Sequence, residues 1–304
     1  MPIVVNGTTL TDIYVGNTKL TRVQVRENEN SIFVVVFEQG GVVKVAYIYA
    51  GNWKMNKLKA DIDSFFTDFN ANLNQDSNKE VIIFPPACYL SYVKEKIDAS
   101  PRGSMIKLGV QNVCNADAAK GSYTGQISAQ QAADCGCEYV LVGNSEVRSA
   151  LGLTNEQCRF QIKQALAFGL KVIYCVGENI TERDAGQTLS VLTAELTEGL
   201  FGAAGVSAST LPTNFAIVYE PIWSIGTGRT CSVDMANEAC ATIRNIIENT
   251  YDTQTANNTP ILYGGTMNVR TAAGFLSQSN IEGGLFPAVS LQAANFASII
   301  NENT

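Results

Sequence analysis

The chain has 304 residues, 46% hydrophobic and 16% charged, which is enough apolar material for one large barrel or two ordinary domains and excludes a disordered chain. A net charge of −7 offers no basic surface to neutralise the phosphates of DNA or RNA, so no nucleic-acid partner is expected. The start, MPIVVNGTTLTDIYV, lacks a basic region followed by an apolar leader, and no run reaches the ~18 apolar residues that a bilayer span needs; a cytoplasmic chain without a membrane partner is expected.

Residues 1–44 read as a β-rich segment of short runs, Ile3 to Val5, Ile13 to Val15, Val23 to Val25 and Ile32 to Phe37, separated by turn formers. Asn6-Gly7 is a hairpin signal, because a type I′ turn needs positive φ at both central residues. A short repeat at a spacing of ten aligns Val5 to Ile13 with Val15 to Val23, which predicts successive hairpin strands.

From residue 45 to 304 the pattern changes to apolar runs, each followed by a stretch with helical spacing. Strands are predicted at Val45 to Ala50, Val81 to Phe84, Lys107 to Gln111, Tyr139 to Val142, Val172 to Val176, Phe215 to Tyr219, Ile261 to Tyr263 and Gly284 to Phe286. Helices are predicted among others at Asp61 to Leu73, Asn155 to Phe168, Leu189 to Leu200 and Val233 to Tyr251, the last opened by Ser232 as N-cap. Continuous apolar strands imply burial on both faces, and eight such units predict an α/β fold, a (β/α)8 barrel preceded by a small β-rich segment. An open doubly wound sheet is the alternative, but no G-x-G-x-x-G follows a strand.

The chain contains no histidine, so acid–base chemistry rests on Glu, Asp, Lys, Cys or Tyr; no metal and no cofactor is expected. Eight cysteines without a C-x-x-C pair read as free thiols. In a (β/α)8 barrel the active site forms at the C-terminal strand ends. After the first strand stands Gly51-Asn52-Trp53-Lys54-Met55-Asn56, after the fourth Gly143-Asn144-Ser145-Glu146, and after the fifth Gly177-Glu178. The sixth gives Glu220-Pro221-Ile222-Trp223-Ser224-Ile225-Gly226-Thr227-Gly228 and the seventh Gly264-Gly265-Thr266, so Lys54 and Glu220 are expected at one mouth.

In register, these motifs resemble the triosephosphate isomerase family across roughly residues 46 to 303. The resemblance implies that Glu220 is the base moving a proton between adjacent carbons of a triose phosphate. It implies that Lys54 and Asn52 stabilise the developing negative charge, with Glu146 in the same catalytic set. Pro221, Ile222, Trp223, Ser224, Ile225, Gly226 and Thr227 would form a lid that excludes water, and Gly226 and Thr266 would hold the phosphate. Gln111-Asn112 and Gly121 to Gly125 resemble that family's third loop, which implies a homodimer through residues 116–125.

Two departures stand out. Asn144 occupies the place of the family's histidine; it keeps an amide donor for a carbonyl oxygen but cannot exchange a proton. Pro287-Ala288 replaces a Gly-Gly pair whose backbone amides meet the phosphate, and proline has no N–H. Val147 also replaces an arginine usual there. Three functions follow. The expectation placed first is a pseudoenzyme, an inactive barrel serving as a structural or decoration module of a larger assembly such as a phage virion in the host cytoplasm. Residues 1–44 would be its anchor, since their Val-Asn-Gly-Thr and Val-Gly-Asn-Thr phrases resemble the anchoring repeats of bacteriophage virion proteins. The alternative is a slow but genuine isomerase; the third is a binding module for another small anion or sugar.

Overall fold

The structure, a computed structural model, describes residues 47–302 apart from Ser77, together with the backbone of six short strands within residues 3–37. Eight parallel strands close into a barrel: β1 (Tyr47–Asn52), β2 (Lys79–Phe84), β3 (Ile106–Val110), β4 (Tyr139–Val142), β5 (Lys171–Val176), β6 (Phe215–Tyr219), β7 (Ile261–Tyr263) and β8 (Gly283–Leu285). Closure is made by β8 pairing back on β1, with Gly283 opposite Ile48 and Leu285 opposite Ala50. The predicted start at Val45 lies outside the described residues, the third, fifth and eighth strands begin one residue earlier than their apolar runs indicate, and the second begins two earlier.

The strands lack polar alternation because both faces are buried. Residues of one parity, such as Ile82, Phe84, Leu141, Ile173, Val218 and Leu262, fill the barrel interior. Those of the other parity, such as Val81, Val140, Val172, Ile217 and Ile261, pack beneath the helices in a second, larger cluster. This two-layer arrangement is what a closed parallel sheet wrapped by helices requires.

Helices lie at Lys59–Asn72, Asn155–Ala167 and Val233–Thr250, close to the predicted spans, and Ser232 caps the last by accepting the Met235 N–H. The stretch predicted as one helix from Leu189 to Leu200 is instead an α-helix, Thr188–Ala194, that widens into a π-helical segment, Glu195–Phe201. There the Tyr174 hydroxyl donates to the Glu195 carbonyl at 2.8 Å, a competing partner of the kind that loosens a helical ladder. All eight cysteines are free.

The chain divides into two units, Met1–Lys44 and Val45–Thr304. In the first, three antiparallel pairs are described: Ile3–Val5 with Thr8–Leu10, Tyr14–Val15 with Thr18–Lys19, and Arg22–Asn28 with Ser31–Phe37. The ten-residue repeat thus corresponds to the first two pairs, while Asn6-Gly7 and Ile13 lie outside the described residues. Among the described residues no helix is long and apolar enough to cross a membrane.

Candidate active site

The end of β1 carries Asn52, which is buried, and two residues on Lys54 adopts a positive φ of 52°. A lysine in the left-handed region is strained unless its surroundings hold it. Here they do: the Asn52 side-chain oxygen accepts the Lys54 N–H at 3.0 Å, and Gln111, just past β3, donates its amide to the Lys54 carbonyl at 2.8 Å and to that of Phe84 at 2.9 Å. The Lys54 ammonium meets the Glu146 carboxylate at 2.5 Å in a partly solvated pair.

Glu220 directly follows β6 and is 5% exposed. One carboxylate oxygen accepts the Asn144 amide at 2.7 Å and the other the Ser145 backbone N–H at 2.8 Å. Burial pushes the carboxyl up to about 7, and the Ser145 N–H, which favours the charged form, works against that rise. A carboxyl titrating near neutrality is suited to take and return a proton. Gly264, at the end of β7, makes room for it, since a Cβ there would stand 3.0 Å from the Glu220 Cγ and closer still to Val218.

The Asn144 amide donates to Glu220. Its carbonyl oxygen accepts the Glu146 N–H at 3.2 Å and so caps the helix Ser145–Leu151.

Asn52, Lys54, Asn144, Glu146, Glu220 and Pro287 all line one cleft of about 200 Å³, together with Ile222 and Ile225 of the predicted lid. At the lid's root, Pro221 precedes a short 3-10 turn, Ile222–Ser224. Trp223 is buried there, with its backbone N–H on the Glu178 carbonyl at 3.1 Å and its indole N–H on the Tyr219 hydroxyl at 3.2 Å. Ser224 bonds back to the Pro221 carbonyl and Thr227 to that of Trp223, while Ile225 is 54% exposed. Gly226 and Gly228 both have positive φ.

The expected phosphate residues are not gathered in this way. Gly226, Thr266 and Ala288 do not line the cleft; Thr266 is exposed and borders a neighbouring pocket of about 550 Å³ with Arg229 and Ser232. Phe286 does not plug the mouth, because it is buried against Tyr49 and Phe296 with ring centroids 6.1 and 5.6 Å away. Pro287 is the residue of that turn that faces the cleft.

Several site residues escaped the sequence reading. Ser145 and Gln111 stand in the quoted motifs, yet the work they do runs through a backbone N–H and a side-chain amide reaching across strands, which residue type does not reveal. Ser149 lines the cleft from the helix after Ser145, one turn beyond the motif that was quoted.

A family model described as Triosephosphate isomerase matches residues 47–303. The chain is 39% identical to the triosephosphate isomerase of Dictyoglomus thermophilum over 253 residues, 83% of this chain and 98% of that one. It is 38% identical to that of Endomicrobium trichonymphae over 83% of this chain and 97% of the relative, and 37% identical to that of Taenia solium over 83% and 96%. Relatives so named, matched along almost their whole length, overturn the expectation of a pseudoenzyme serving as a virion or decoration module. The matched region begins at residue 47 and lends no support to residues 1–44 as phage anchoring repeats. The fold, the cleft and the match across 83% of the sequence agree, and the chain belongs to the triosephosphate isomerase family.

Proposed function

We propose that the protein is a slow triosephosphate isomerase, interconverting glyceraldehyde 3-phosphate and dihydroxyacetone phosphate. The observation that carries this reading is Glu220, a buried carboxyl raised to about 7 in the same cleft as the Lys54 ammonium. In its ionised form Glu220 takes a proton from the carbon beside the substrate carbonyl and returns it to the neighbouring carbon. Between these transfers the negative charge is shared by the two substrate oxygens, where a fixed ammonium and the Asn52 amide are most effective, and the hydroxyl proton passes from one oxygen to the other through the Glu220 carboxyl itself, since Asn144 cannot carry it. Ile222 and Ile225 close over the cleft and keep water from the enediolate.

Two features make the reaction slow. Asn144 cannot relay a proton, and loss of a positioned acid–base group typically costs ~10² to 10⁴ in rate. Pro287 offers no N–H to a phosphate, so less binding energy is available for closing the lid. The test is isomerisation of glyceraldehyde 3-phosphate by the purified protein beside Glu220→Gln. Turnover that disappears in the variant supports the reading; no turnover by the unmodified protein rejects it.

A homodimer through residues 116–125 is part of the same proposal. Residues 120–126 are exposed, and Met55, next to Lys54, is 95% exposed, an arrangement that a second copy would cover.

A further inference from the structure

We infer that Asn144 is a positioning residue for Glu220: its amide holds one carboxylate oxygen of the base while its carbonyl caps the helix that begins with Ser145, tying the base to the turn after β4. The inference rests on the isomerase reading of Glu220. Residues 144 and 145 supply one donor to each carboxylate oxygen, at 2.7 and 2.8 Å, so the carboxylate is gripped at both ends. Both partners are buried, Asn144 at 6% exposure and Glu220 at 5%.

The orientation of the amide follows from its surroundings. An ionised carboxylate only accepts and the Glu146 backbone N–H only donates, so Nδ2 must face Glu220 and Oδ1 must face Glu146. Capping alone requires only the oxygen. The second half of the side chain is therefore committed to the base. The Asn144 NH2 carries two N–H donors, so holding Glu220 uses one of them and does not withhold the other from a substrate oxygen; Lys54 is the one cation lining the cleft among the described residues.

The groups facing Glu220 are Lys54 and Glu146 across the cleft and the buried Cys175 thiol at the end of β5. None of these changes in the variants that test the idea. Asn144→Asp keeps the capping oxygen and replaces the donor with a like charge; Asn144→Ser keeps a cap and removes the donor. Two readouts are taken: the midpoint of the acid limb of kcat/KM, and the titration of the Glu220 carboxyl by 13C NMR without substrate, assigned with Glu220→Gln.

Positioning predicts that both midpoints rise by about one pH unit or more in Asn144→Asp, and by less in Asn144→Ser. A residue that only caps the helix predicts an unchanged midpoint in Asn144→Ser, since Ser caps as well as Asn, and a rise in Asn144→Asp alone reports only the introduced charge. Unchanged Glu220 titration in Asn144→Ser overturns the proposal. If no form isomerises the substrate, the isomerase reading fails by itself, and the carboxyl titration still decides the role of Asn144.

Discussion

The carbonyl oxygen of Glu220 occupies the space where a side chain on Gly177 would have to sit: a Cβ at Gly177 would lie 1.8 Å from it. Gly177 has no positive φ, so the glycine is required by this close approach of β5 to the base and not by its own backbone conformation. Gly177→Ala must push the Glu220 backbone away. The expected cost is about 1 to 3 kcal/mol of stability, measured by chemical denaturation. A loss of about 10²-fold in kcat should accompany it, because a displacement of about 1 Å is enough for that. Normal turnover in a folded Gly177→Ala protein would show that the base does not need its present position.

Glu220 also sets a pH dependence of stability. Its carboxyl titrates at about 7 in the fold and near 4.5 when unfolded. Between those values the folded state holds a proton that the unfolded state has lost, so stability from this group is intact below about 4.5 and declines as pH rises toward 7. Glu195, buried beside Arg148 and pushed to about 7 chiefly by that burial, acts in the same direction, as does Glu282. Glu220→Gln removes only the first contribution. The stability of Glu220→Gln relative to the unmodified protein should therefore increase from pH 4.5 to 7.5, measured by thermal melts; a gap that is constant with pH would mean that Glu220 is not raised.

Much of this arrangement was legible in the chain itself. Strand runs such as Tyr139 to Val142 and Phe215 to Tyr219 are apolar on both faces and bounded by turn residues, so their ends mark the rim where Asn144 and Glu220 appear. What spacing could not show was the partner of each polar atom. Asn144 carries two hydrogen-bonding functions on one short side chain, and only the approach at the rim of the segments that follow β4 and β6, two strands separated by β5, directs its amide to Glu220. The widening at Glu195 was hidden for the same reason, because the Tyr174 hydroxyl that bonds the Glu195 carbonyl there comes from a strand twenty-one residues away. Functional expectation failed on a different point: two altered positions were weighed as loss of activity, whereas the comparisons align almost the entire barrel with isomerases.

The turn after β8 makes a separable prediction. Pro287 lines the cleft without an N–H to offer, and the adjacent Ala288 carries a methyl group that glycine would lack. The double variant Pro287→Gly, Ala288→Gly should lower KM for glyceraldehyde 3-phosphate about tenfold, as one new hydrogen bond to a charged group contributes roughly 1.5 to 3 kcal/mol. Unphosphorylated glyceraldehyde, assayed alongside, should gain nothing. An equal gain for both substrates would place the effect in lid flexibility and not in phosphate contact.

Met55 gives the proposed dimer its sharpest test. Met55, 95% exposed, directly follows Lys54, whose left-handed backbone is held by the Asn52 and Gln111 hydrogen bonds. If a second copy covers Met55 with the loop containing Tyr123, association both buries that surface and stiffens the backbone on which the ammonium depends. Met55→Glu introduces a charge that an apolar interface would have to desolvate, and it should shift the protein to a monomer in sedimentation velocity. Turnover per chain should fall with the dimer fraction, in the variant and in the unmodified protein on dilution, while the unfolding transition of each barrel persists. A monomeric unmodified protein whose activity is independent of concentration would remove the dimer from the account and leave the Asn52 and Gln111 hydrogen bonds as the support of Lys54.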